Sequence, residues 1–310
     1  MLRTSALTLA IFALPASLLA APEGWAPLLE PEGLADLLDR DGSIRVVHVS
    51  GDFAAGHIPG AAFAAYPEWR GPSDNPGALR ELSHFAELLR DLGITADTPV
   101  AVVHGGANPT DMGTAARVFW TLRSLGVEDL ALVNGGFAAW QAAGLPVSTT
   151  PARITRSGFK PAWSDEWRID TTEVAELVQS GDARLIDARP LGFFEGRTWS
   201  IARPGTIRGA DHLTFEQWFD GNRMVDAASA RTIAEQAGQT DAPVTVSFCN
   251  TGHWAAINWF ALSELAGVPN TRLYAESMAE YTAQGLPLDN EPGRLSVILE
   301  NSRRWVGGLF

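Results

Sequence analysis

A single cysteine, Cys249, is the residue of this chain with the clearest capacity for covalent chemistry. It stands in the segment VSFCNTGHWAAINWF, which begins at Val246, between a short β-prone run and a helix-like run. A thiol is nucleophilic only as the thiolate, and a free cysteine has a pKa of about 8.5. A position just before a helix favours the thiolate, because the unpaired N–H groups and partial positive charge of the helix start lie near the sulfur.

The loop after the cysteine is short and suits an arrangement of backbone donors around the sulfur. Gly252 permits a positive φ or a close approach of the backbone, which such a nest of N–H groups requires. The candidate site therefore comprises the nucleophile and its loop: Cys249, Asn250, Thr251, Gly252, His253 and Trp254. Two other interpretations of the lone thiol stay open, an intermolecular disulfide and a small buried hydrophobic side chain.

The composition limits the class of protein and of partner. The chain has 310 residues, of which 46% are hydrophobic, which is enough for one large or two ordinary domains. Its 36 Asp and Glu residues against 23 Lys and Arg give a formal charge of −13. Because an acidic protein repels phosphate backbones and anionic lipids, nucleic acid is not an expected partner. An anionic substrate must be held locally, by arginines or backbone N–H groups.

The N-terminus reads as an export signal. One positive charge at Arg3 precedes an apolar run over residues 6–21 that contains Pro15 and ends in small residues. This run is shorter than the roughly 20 residues of a membrane-spanning helix. We expect residues 1–21 to be a signal peptide that is removed. The mature protein is then expected to be periplasmic or secreted and not stably inserted in a membrane. A retained membrane anchor and a buried helix are the alternatives for this segment.

The chain repeats itself at long range. The segment DTPVAVVHGG, which begins at Asp97, corresponds to DAPVTVSFCN at Asp241, and GHIPGA at Gly56 corresponds to GTIRGA at Gly205. Two copies of this size indicate two tandem domains rather than a solenoid of short units. We predict an N-terminal domain over 28–147, a linker over 148–168, a C-terminal domain over 169–290 and a tail of undecided role over 291–310.

Short β-branched runs alternate with helical periods in each copy, which predicts an α/β fold with parallel sheets flanked by helices. The predicted strands are 44–49, 100–103, 130–133, 185–187, 244–248 and 272–274, and the predicted helices are 79–89, 114–125 and 255–265. Sites in such sheets lie beyond the carboxyl ends of the strands, and Cys249 follows such an end.

Several short motifs of the sequence together resemble those of the tandem rhodanese-type sulfurtransferases. The segments that carry the resemblance are GHIPGA at Gly56, NGGFAAWQAAGLPV at Asn134, IDARP at Ile186, ARPGTIRGA at Ala202 and CNTGHWA at Cys249. The resemblance implies two rhodanese-like domains, of which the C-terminal one is active through a persulfide on Cys249. It implies double displacement of a sulfane sulfur from thiosulfate, 3-mercaptopyruvate or a related small donor to cyanide or a thiol. A protein acceptor is also open.

The resemblance also implies roles for residues outside the loop. An arginine at the position of Arg189 contacts the anionic donor in similar enzymes, although Arg189 can instead pair with Asp187, which we expect to orient the loop. Arg197 and Arg208 are surface cations by default that can reach the cleft. The Ser277 hydroxyl can hydrogen-bond the sulfur or cap the following helix.

Two residues of the loop have open roles. His253 can polarise the thiolate, accept a proton or simply face water, and Trp254 is expected to shield the pocket. No Gly-rich phosphate loop and no His/Cys cluster with metal-ligand spacing occurs in the sequence, so neither a cofactor nor a metal is expected.

The first copy lacks the chemical groups of the second. Gly105 stands where Cys249 would be, and His48 and Ser50 replace Asp187 and Arg189. We therefore expect the first copy to be inactive and to form one wall of the cleft, with its buried histidines, His48, His57 and His104, as hydrogen-bonded scaffold residues.

The second copy also departs from the family pattern. Asn250 and Thr251 are neutral where thiosulfate enzymes tend to be basic, and Phe193 stands where a second arginine is common. The donor is therefore left open. The loop has no closing arginine, which argues against a related phosphatase. A noncatalytic sulfur-binding or partner-docking protein on the same scaffold is the alternative function, because fold alone does not establish activity.

Overall fold

Two parallel sheets, one in each half of the chain, form the frame of the molecule. The structure is a computed structural model that describes residues 21–239 and 242–293. Nearly all of the expected signal peptide and most of the expected tail lie outside the described residues. Within those two ranges, no helix has the length and apolar character that crossing a membrane needs.

The first half contains a five-stranded sheet and four helices. Its strands are β1 (Leu28–Leu29), β2 (Arg45–His48), β3 (Ala62–Phe63), β4 (Val100–Val103) and β5 (Leu130–Val133). Its helices are α1 (Pro31–Arg40), α2 (Leu82–Asp91), α3 (Met112–Ser124) and α4 (Gly136–Ala142). The sheet order is β1-β5-β4-β2-β3, with all neighbours parallel. Strands β4 and β5 are buried along their whole length, as continuous apolar runs predict.

The second half repeats this sheet and adds two short antiparallel strand pairs. Its strands are β6 (Arg168–Ile169), β7 (Arg184–Asp187), β8 (Thr206–Ile207), β9 (Asp211–His212), β10 (Phe219–Asp220), β11 (Arg223–Met224), β12 (Thr245–Phe248), β13 (Thr271–Tyr274) and β14 (Leu288–Asp289). Its helices are α5 (Thr171–Ser180), α6 (Leu191–Phe194), α7 (Ala227–Gln236), α8 (Trp254–Phe260) and α9 (Ser277–Ala283). The main sheet is parallel in the order β6-β13-β12-β7-β9, while β8–β14 and β10–β11 are antiparallel pairs.

The predicted α/β class with parallel sheets is confirmed, and the predicted strands match within a residue or two. The predicted helix over 79–89 begins later, at Leu82, and the one over 255–265 is α8 continued by a π-helical segment, Ala261–Leu265. Helices α1, α4, α5, α6 and α7 were not predicted, and α9 was expected only as the helix that follows Ser277. The stretch over 148–168 has no helix and is irregular apart from an isolated bridge between His57 and Ser148, a turn at 165–166 and the first residue of β6.

The two halves share one continuous hydrophobic core, because helix α3 of the first packs against helix α8 of the second. Phe119 meets Phe260 edge to face, with ring centroids 5.1 Å apart, and also lies against Trp259. Burying such an aromatic side chain contributes about 2–3 kcal/mol. The start of α8 follows directly from the loop of Cys249, so this packing fixes the loop relative to the first half.

Candidate active site

Cys249 lies at the carboxyl end of β12, in the centre of the second sheet. Strand β12 pairs with β7 so that Phe248 is opposite Asp187, which brings the cysteine beside the segment that follows β7. The cysteine is only 1% exposed, yet it lines a cavity of about 370 Å³. The other lining residues come from both halves of the chain: Arg70, Thr110, Ser200, Ile201, Asn250, Thr251, His253 and Trp254.

The backbone of Cys249 is held by Ser277. The Cys249 N–H donates to the Ser277 hydroxyl oxygen at 3.1 Å, and that hydroxyl donates to the Tyr274 carbonyl at 2.7 Å. The Cys249 carbonyl accepts from the N–H of Met278 at 3.0 Å. Because the only hydroxyl proton of Ser277 is used in this way, the serine positions the main chain of the cysteine. It makes neither the predicted bond to the sulfur nor a side-chain cap of α9.

The loop after the cysteine keeps its backbone donors available. Among the described residues, the N–H groups of residues 250–253 have no hydrogen-bond acceptor. Gly252 has a φ of +73°, the left-handed value that sequence reasoning predicted, and it packs against the Ala275 carbonyl and the Arg117 guanidinium. Free amide donors beside a sulfur atom are suited to stabilise a thiolate or a persulfide anion.

Arg189 is not presented to the cavity, which corrects its assignment as a substrate-binding residue. It is 1% exposed and forms a bidentate ion pair with the buried Asp187, from Nε to Oδ1 at 2.8 Å and from Nη2 to Oδ2 at 2.6 Å. Its Nη1 donates to the Asn250 side-chain oxygen at 3.1 Å. The pair therefore positions the active loop through Asn250, because both charges satisfy each other inside the protein.

The other two predicted cations are also outside the cavity. Arg197 is exposed and paired with Glu195, and Arg208 is exposed with its Nε 3.7 Å from Asp289. Neither lines the space around Cys249. Long arginines default to the surface unless a partner holds them inward, and here the nearest carboxylates lie in solvent.

His253 is bound to the first half of the chain. Its Nε2 lies 2.8 Å from the Thr110 carbonyl, and its Nδ1 lies 2.9 Å from the Tyr66 hydroxyl. A carbonyl only accepts, so Nε2 carries the proton and Nδ1 of the neutral ring accepts from Tyr66. The desolvation of the ring lowers its pKa to about 4, against an opposing contribution from the Thr110 carbonyl. His253 is therefore a neutral link between the halves.

The hydrogen bonds that run from His253 through Tyr66 end at Arg70, a cation that sequence reasoning missed. The Tyr66 hydroxyl accepts from Arg70 Nη1 at 2.9 Å, and the guanidinium carbon of Arg70 lies 5.2 Å from the centre of the Tyr66 ring. Arg70 directly follows the 3₁₀ turn Tyr66–Trp69 of the first half and is 8% exposed. Nothing in its sequence surroundings distinguishes it from a surface arginine.

Arg117 on α3 is a second missed cation, and it lies behind the loop. It is fully buried, and it donates to the carbonyl of Gly77 at 2.8 Å and to those of Gly252 and Ala275 at 3.4 Å each. Burial, with the nearby charge of Arg70, lowers its pKa to about 10. Arg117 stays charged at neutral pH and adds positive potential beneath the active loop.

The predicted shielding role of Trp254 agrees with its packing. The indole stacks on Phe215 with ring centroids 5.2 Å apart and meets Phe193 edge to face. Together with Ile201 it forms the apolar part of the cavity lining, while the Thr251 side chain contributes a hydroxyl. Among the described residues, no group of three or more His, Cys, Asp and Glu side chains is placed to hold a metal ion.

The corresponding loop of the first half contains a carboxylate in place of a thiol. Asp111 accepts from the N–H groups of Gly106 at 2.7 Å and Ala107 at 3.3 Å, and from the Ser50 hydroxyl at 2.8 Å. Burial alone raises a carboxyl pKa, but these donors and the His104 ring 3.6 Å away hold the pKa of Asp111 well below its usual range. The loop amides of the first half are thus already occupied.

The histidines of the first half differ in their bonding. The Nε2 of His48 accepts from the N–H of Ile58 at 3.3 Å, and the ring of His57 lies within hydrogen-bond distance of two carbonyls, Phe53 and Thr150. These two fit the predicted scaffold role. Neither ring nitrogen of His104 forms a hydrogen bond to a described residue.

Comparison with known proteins places these features in a family. The family model described as "Rhodanese-like domain" matches twice, over residues 30–143 and 170–284. The chain is 27% identical to a putative thiosulfate sulfurtransferase of Synechococcus elongatus, over 76% of each chain. It is 30% identical to the 3-mercaptopyruvate sulfurtransferase of Escherichia coli, over 69% of this chain and 76% of the relative.

A solved structure shares the architecture of both halves. The crystal structure of SseA from Escherichia coli, a 3-mercaptopyruvate sulfotransferase described as having the rhodanese fold, superimposes with a TM-score of 0.71 at 25% identity. The match covers 81% of this chain and 98% of SseA. The two parallel sheets and their order along the chain are thus shared with a protein whose fold has been determined by crystallography.

Proposed function

The chain belongs to the rhodanese-like family of sulfurtransferases, and we propose that it transfers a sulfane sulfur from a small anionic donor through a persulfide on Cys249. The observation that carries this proposal is the position of the thiol, at a cavity between the two halves and next to loop amides without an acceptor among the described residues. Such amides stabilise an anionic sulfur in both states of the enzyme.

The reaction proceeds in two displacements. With thiosulfate as donor, the Cys249 thiolate attacks the outer sulfur, the S–S bond breaks, and sulfite leaves with the bonding electron pair. The product is the Cys249 persulfide anion, whose charge replaces that of the thiolate. Cyanide or a thiolate then attacks the terminal sulfur, and the Cys249 thiolate leaves and is regenerated.

The pocket chemistry favours a donor whose leaving group needs no proton. His253 is neutral, its proton is bound to Thr110, and its other nitrogen accepts from Tyr66. Burial raises the pKa of the Tyr66 hydroxyl, which makes it a weak acid. Sulfite departs from thiosulfate as a stable anion, whereas cleavage of the C–S bond of 3-mercaptopyruvate produces an enolate that must be protonated. Thiosulfate is therefore the first donor of choice.

Intact-mass spectrometry of the purified, reduced protein tests the proposal. Incubation with thiosulfate, and in parallel with 3-mercaptopyruvate, is expected to add the mass of one sulfur atom to Cys249, and cyanide is expected to remove it. Cys249→Ser is expected to fold and to show neither event. Absence of the added sulfur with both donors would move the assignment to a noncatalytic sulfur-binding or partner-docking protein.

We also propose that the enzyme acts after export, because residues 1–21 have the composition of a signal peptide. Expression of the full chain in a bacterial host, followed by fractionation and N-terminal sequencing, tests this directly. A periplasmic product that begins near residue 22 is expected. An uncleaved product in the membrane or cytoplasmic fraction contradicts the proposal.

A further inference from the structure

Arg70 is the only charged side chain among the residues that line the cavity of Cys249 in the part of the chain that the structure describes. It comes from the first half of the molecule, which carries no nucleophile. Its guanidinium has five donors, of which one is used, in the bond to the Tyr66 hydroxyl. No carboxylate among the described residues forms an ion pair with it.

A cation in this setting is poorly compensated by the protein alone. Arg70 is 8% exposed, so most of its hydration is lost, and its neighbour Tyr66 offers one oxygen and an aromatic face. Burying a charge without an opposite charge is costly, and the cost is removed when an anion binds. The planar fork of a guanidinium suits an anion with two or more oxygens, such as a sulfonate or carboxylate head.

No cation from the described residues of the second half lines the cavity. The Arg189 guanidinium is already paired with the buried Asp187. Arg197 and Arg208 are exposed, the first paired with Glu195 and the second near Asp289. Asn250 and Thr251 add only neutral groups to the lining. The formal charge of −13 gives no long-range attraction for anions, so selection for an anionic donor must be local.

We propose that Arg70 of the non-nucleophilic half binds the oxyanion head of the sulfur donor and so determines that the enzyme selects anionic donors. This inference rests on the proposed function. The head of the donor lies against Arg70 while its sulfane sulfur faces Cys249, and sulfite leaves on the side of the guanidinium. The Arg70 charge stabilises the negative charge that builds up on the departing group.

Alkylation of Cys249 by two reagents of the same reactivity class tests the charge of the pocket without any sulfur transfer. Iodoacetate is an anion and iodoacetamide is neutral, so the ratio of their rates reports a cation beside the thiol. In Arg70→Gln the ratio is expected to fall about tenfold, because the attraction of a nearby cation is lost. Arg70→Lys is expected to retain part of it.

Arg197→Gln is the matched control, because it removes an exposed arginine of the same half as Cys249 that does not line the cavity. It is expected to leave the ratio unchanged. If Arg70 only supported Tyr66, its loss would change the rates of both reagents equally, and a constant ratio in Arg70→Gln would overturn the proposal. Sulfate as a competing anion provides a readout on the unmodified protein. It is expected to slow the alkylation by iodoacetamide, and no protection also counts against the proposal.

Steady-state kinetics separate this inference from the proposed function. Arg70→Gln is expected to raise the KM for thiosulfate at least about tenfold, with the cyanide step on the preformed persulfide unchanged. If the alkylation ratio depends on Arg70 but no sulfur is ever transferred, the anion site stands and the proposed function fails. If transfer occurs and neither the ratio nor the KM depends on Arg70, the donor is recognised elsewhere.

Discussion

The loops 104–111 and 249–254 occupy equivalent places, each after the central strand of its sheet, yet their electrostatic contents are opposite. In the first loop, the Asp111 carboxylate accepts from two backbone amides and from Ser50. In the second, the backbone amides have no acceptor among the described residues, and a thiol stands at the end of the strand. The backbone amides of the loop therefore bind a carboxylate of the protein itself in the first half. In the second half they remain available to an anion such as a thiolate.

The difference teaches that the first half lacks more than a cysteine. A built-in carboxylate also repels any second anion, so restoring a thiol there leaves it beside a negative charge. The first half in turn contributes Arg70 and Thr110 to the lining of the cavity of Cys249, and its Tyr66 hydroxyl links Arg70 to His253. The second half holds the thiol and the neutral ring of His253, and the first half holds the cation and the hydrogen-bond partners of that ring.

The buried Asp187–Arg189 pair is the feature of the second half whose loss is expected to have the largest effect. Asp187→Ala leaves the Arg189 guanidinium buried without its partner, which is expected to lower the free energy of unfolding by about 3–5 kcal/mol. Asp211→Asn is the matched control, because its ion pair with Arg184 is solvent-exposed and is expected to cost less than about 1 kcal/mol. If urea titrations show the same loss of the free energy of unfolding in both variants, the buried Asp187–Arg189 pair does not have the expected effect on stability.

Gly252 tests whether the second loop depends on its backbone shape. A Cβ here meets the Arg117 guanidinium and the Ala275 carbonyl, and the φ of +73° is itself unfavourable for alanine. Gly252→Ala is expected to cost about 3 kcal/mol of stability and to lower sulfur transfer by about a hundredfold or more. Gly285→Ala shares a similar φ, +70°, but has open space around it, so it is expected to cost about 1 kcal/mol and to spare activity.

One buried histidine in each half is expected to make the stability of the protein depend on pH. The ordinary histidine pKa of 6.5 is lowered to about 4 in His253 and to about 3 in His48, in both cases first by burial. Between each folded value and 6.5 the unfolded chain binds more protons, so stability rises with pH in that range. The His253 contribution is complete above pH 6.5, and up to about 3 kcal/mol of it is lost as pH falls to about 4.

Paired variants assign this dependence to each half. His253→Gln is expected to flatten the slope of the free energy of unfolding between about pH 4 and 6.5, and His48→Gln is expected to do so down to a lower pH. Denaturant titrations at a series of pH values measure both slopes. An unchanged slope in His253→Gln would mean that burial does not hold the ring neutral in the folded protein.

A thiol placed in the first loop gives the smallest effect but the most direct comparison. In a Cys249→Ser background, Gly105→Cys puts its Cβ 3.0 Å from the Asp111 carboxylate, and the neighbouring charge disfavours the thiolate. Alkylation by iodoacetamide at neutral pH is expected to be slow. Adding Asp111→Asn is expected to accelerate it about tenfold. If the single variant already reacts as fast as Cys249 does in the native protein, the carboxylate does not account for the inactivity of the first half.

The sequence was sufficient for the fold class and for the position of Cys249 directly after a central strand. Strands such as Val100–Val103 are apolar throughout, and the repeat of two long segments implies two similar domains. Cys249 and the positive φ of Gly252 followed from a strand-to-helix corner with a single thiol and a glycine three residues later. These are local properties, and local sequence encodes them.

The environment of the site was less predictable. The sequence allowed Arg189 either to contact the donor or to pair with Asp187, and only the packed segment after β7 shows that the carboxylate takes both sides of the guanidinium fork. Arg197 and Arg208 were expected to be surface cations that can reach the cleft, and the structure has both side chains in solvent. A motif places a residue along the backbone but does not decide where a long side chain ends.

What the sequence determined by itself, then, is the alternation of strands and helices, the duplication, and a cysteine at the end of a central strand. Tertiary structure alone decided which distant residues contact the loop 249–254. Tyr66 bonds His253 across 187 residues of the chain, and Arg117 bonds Gly252 across 135 residues. The physical reason is that α3 and α8 pack through their aromatic side chains, and this contact brings the cations of one half to the thiol of the other. Charge in the pocket therefore depends on a long-range packing contact that no local pattern encodes.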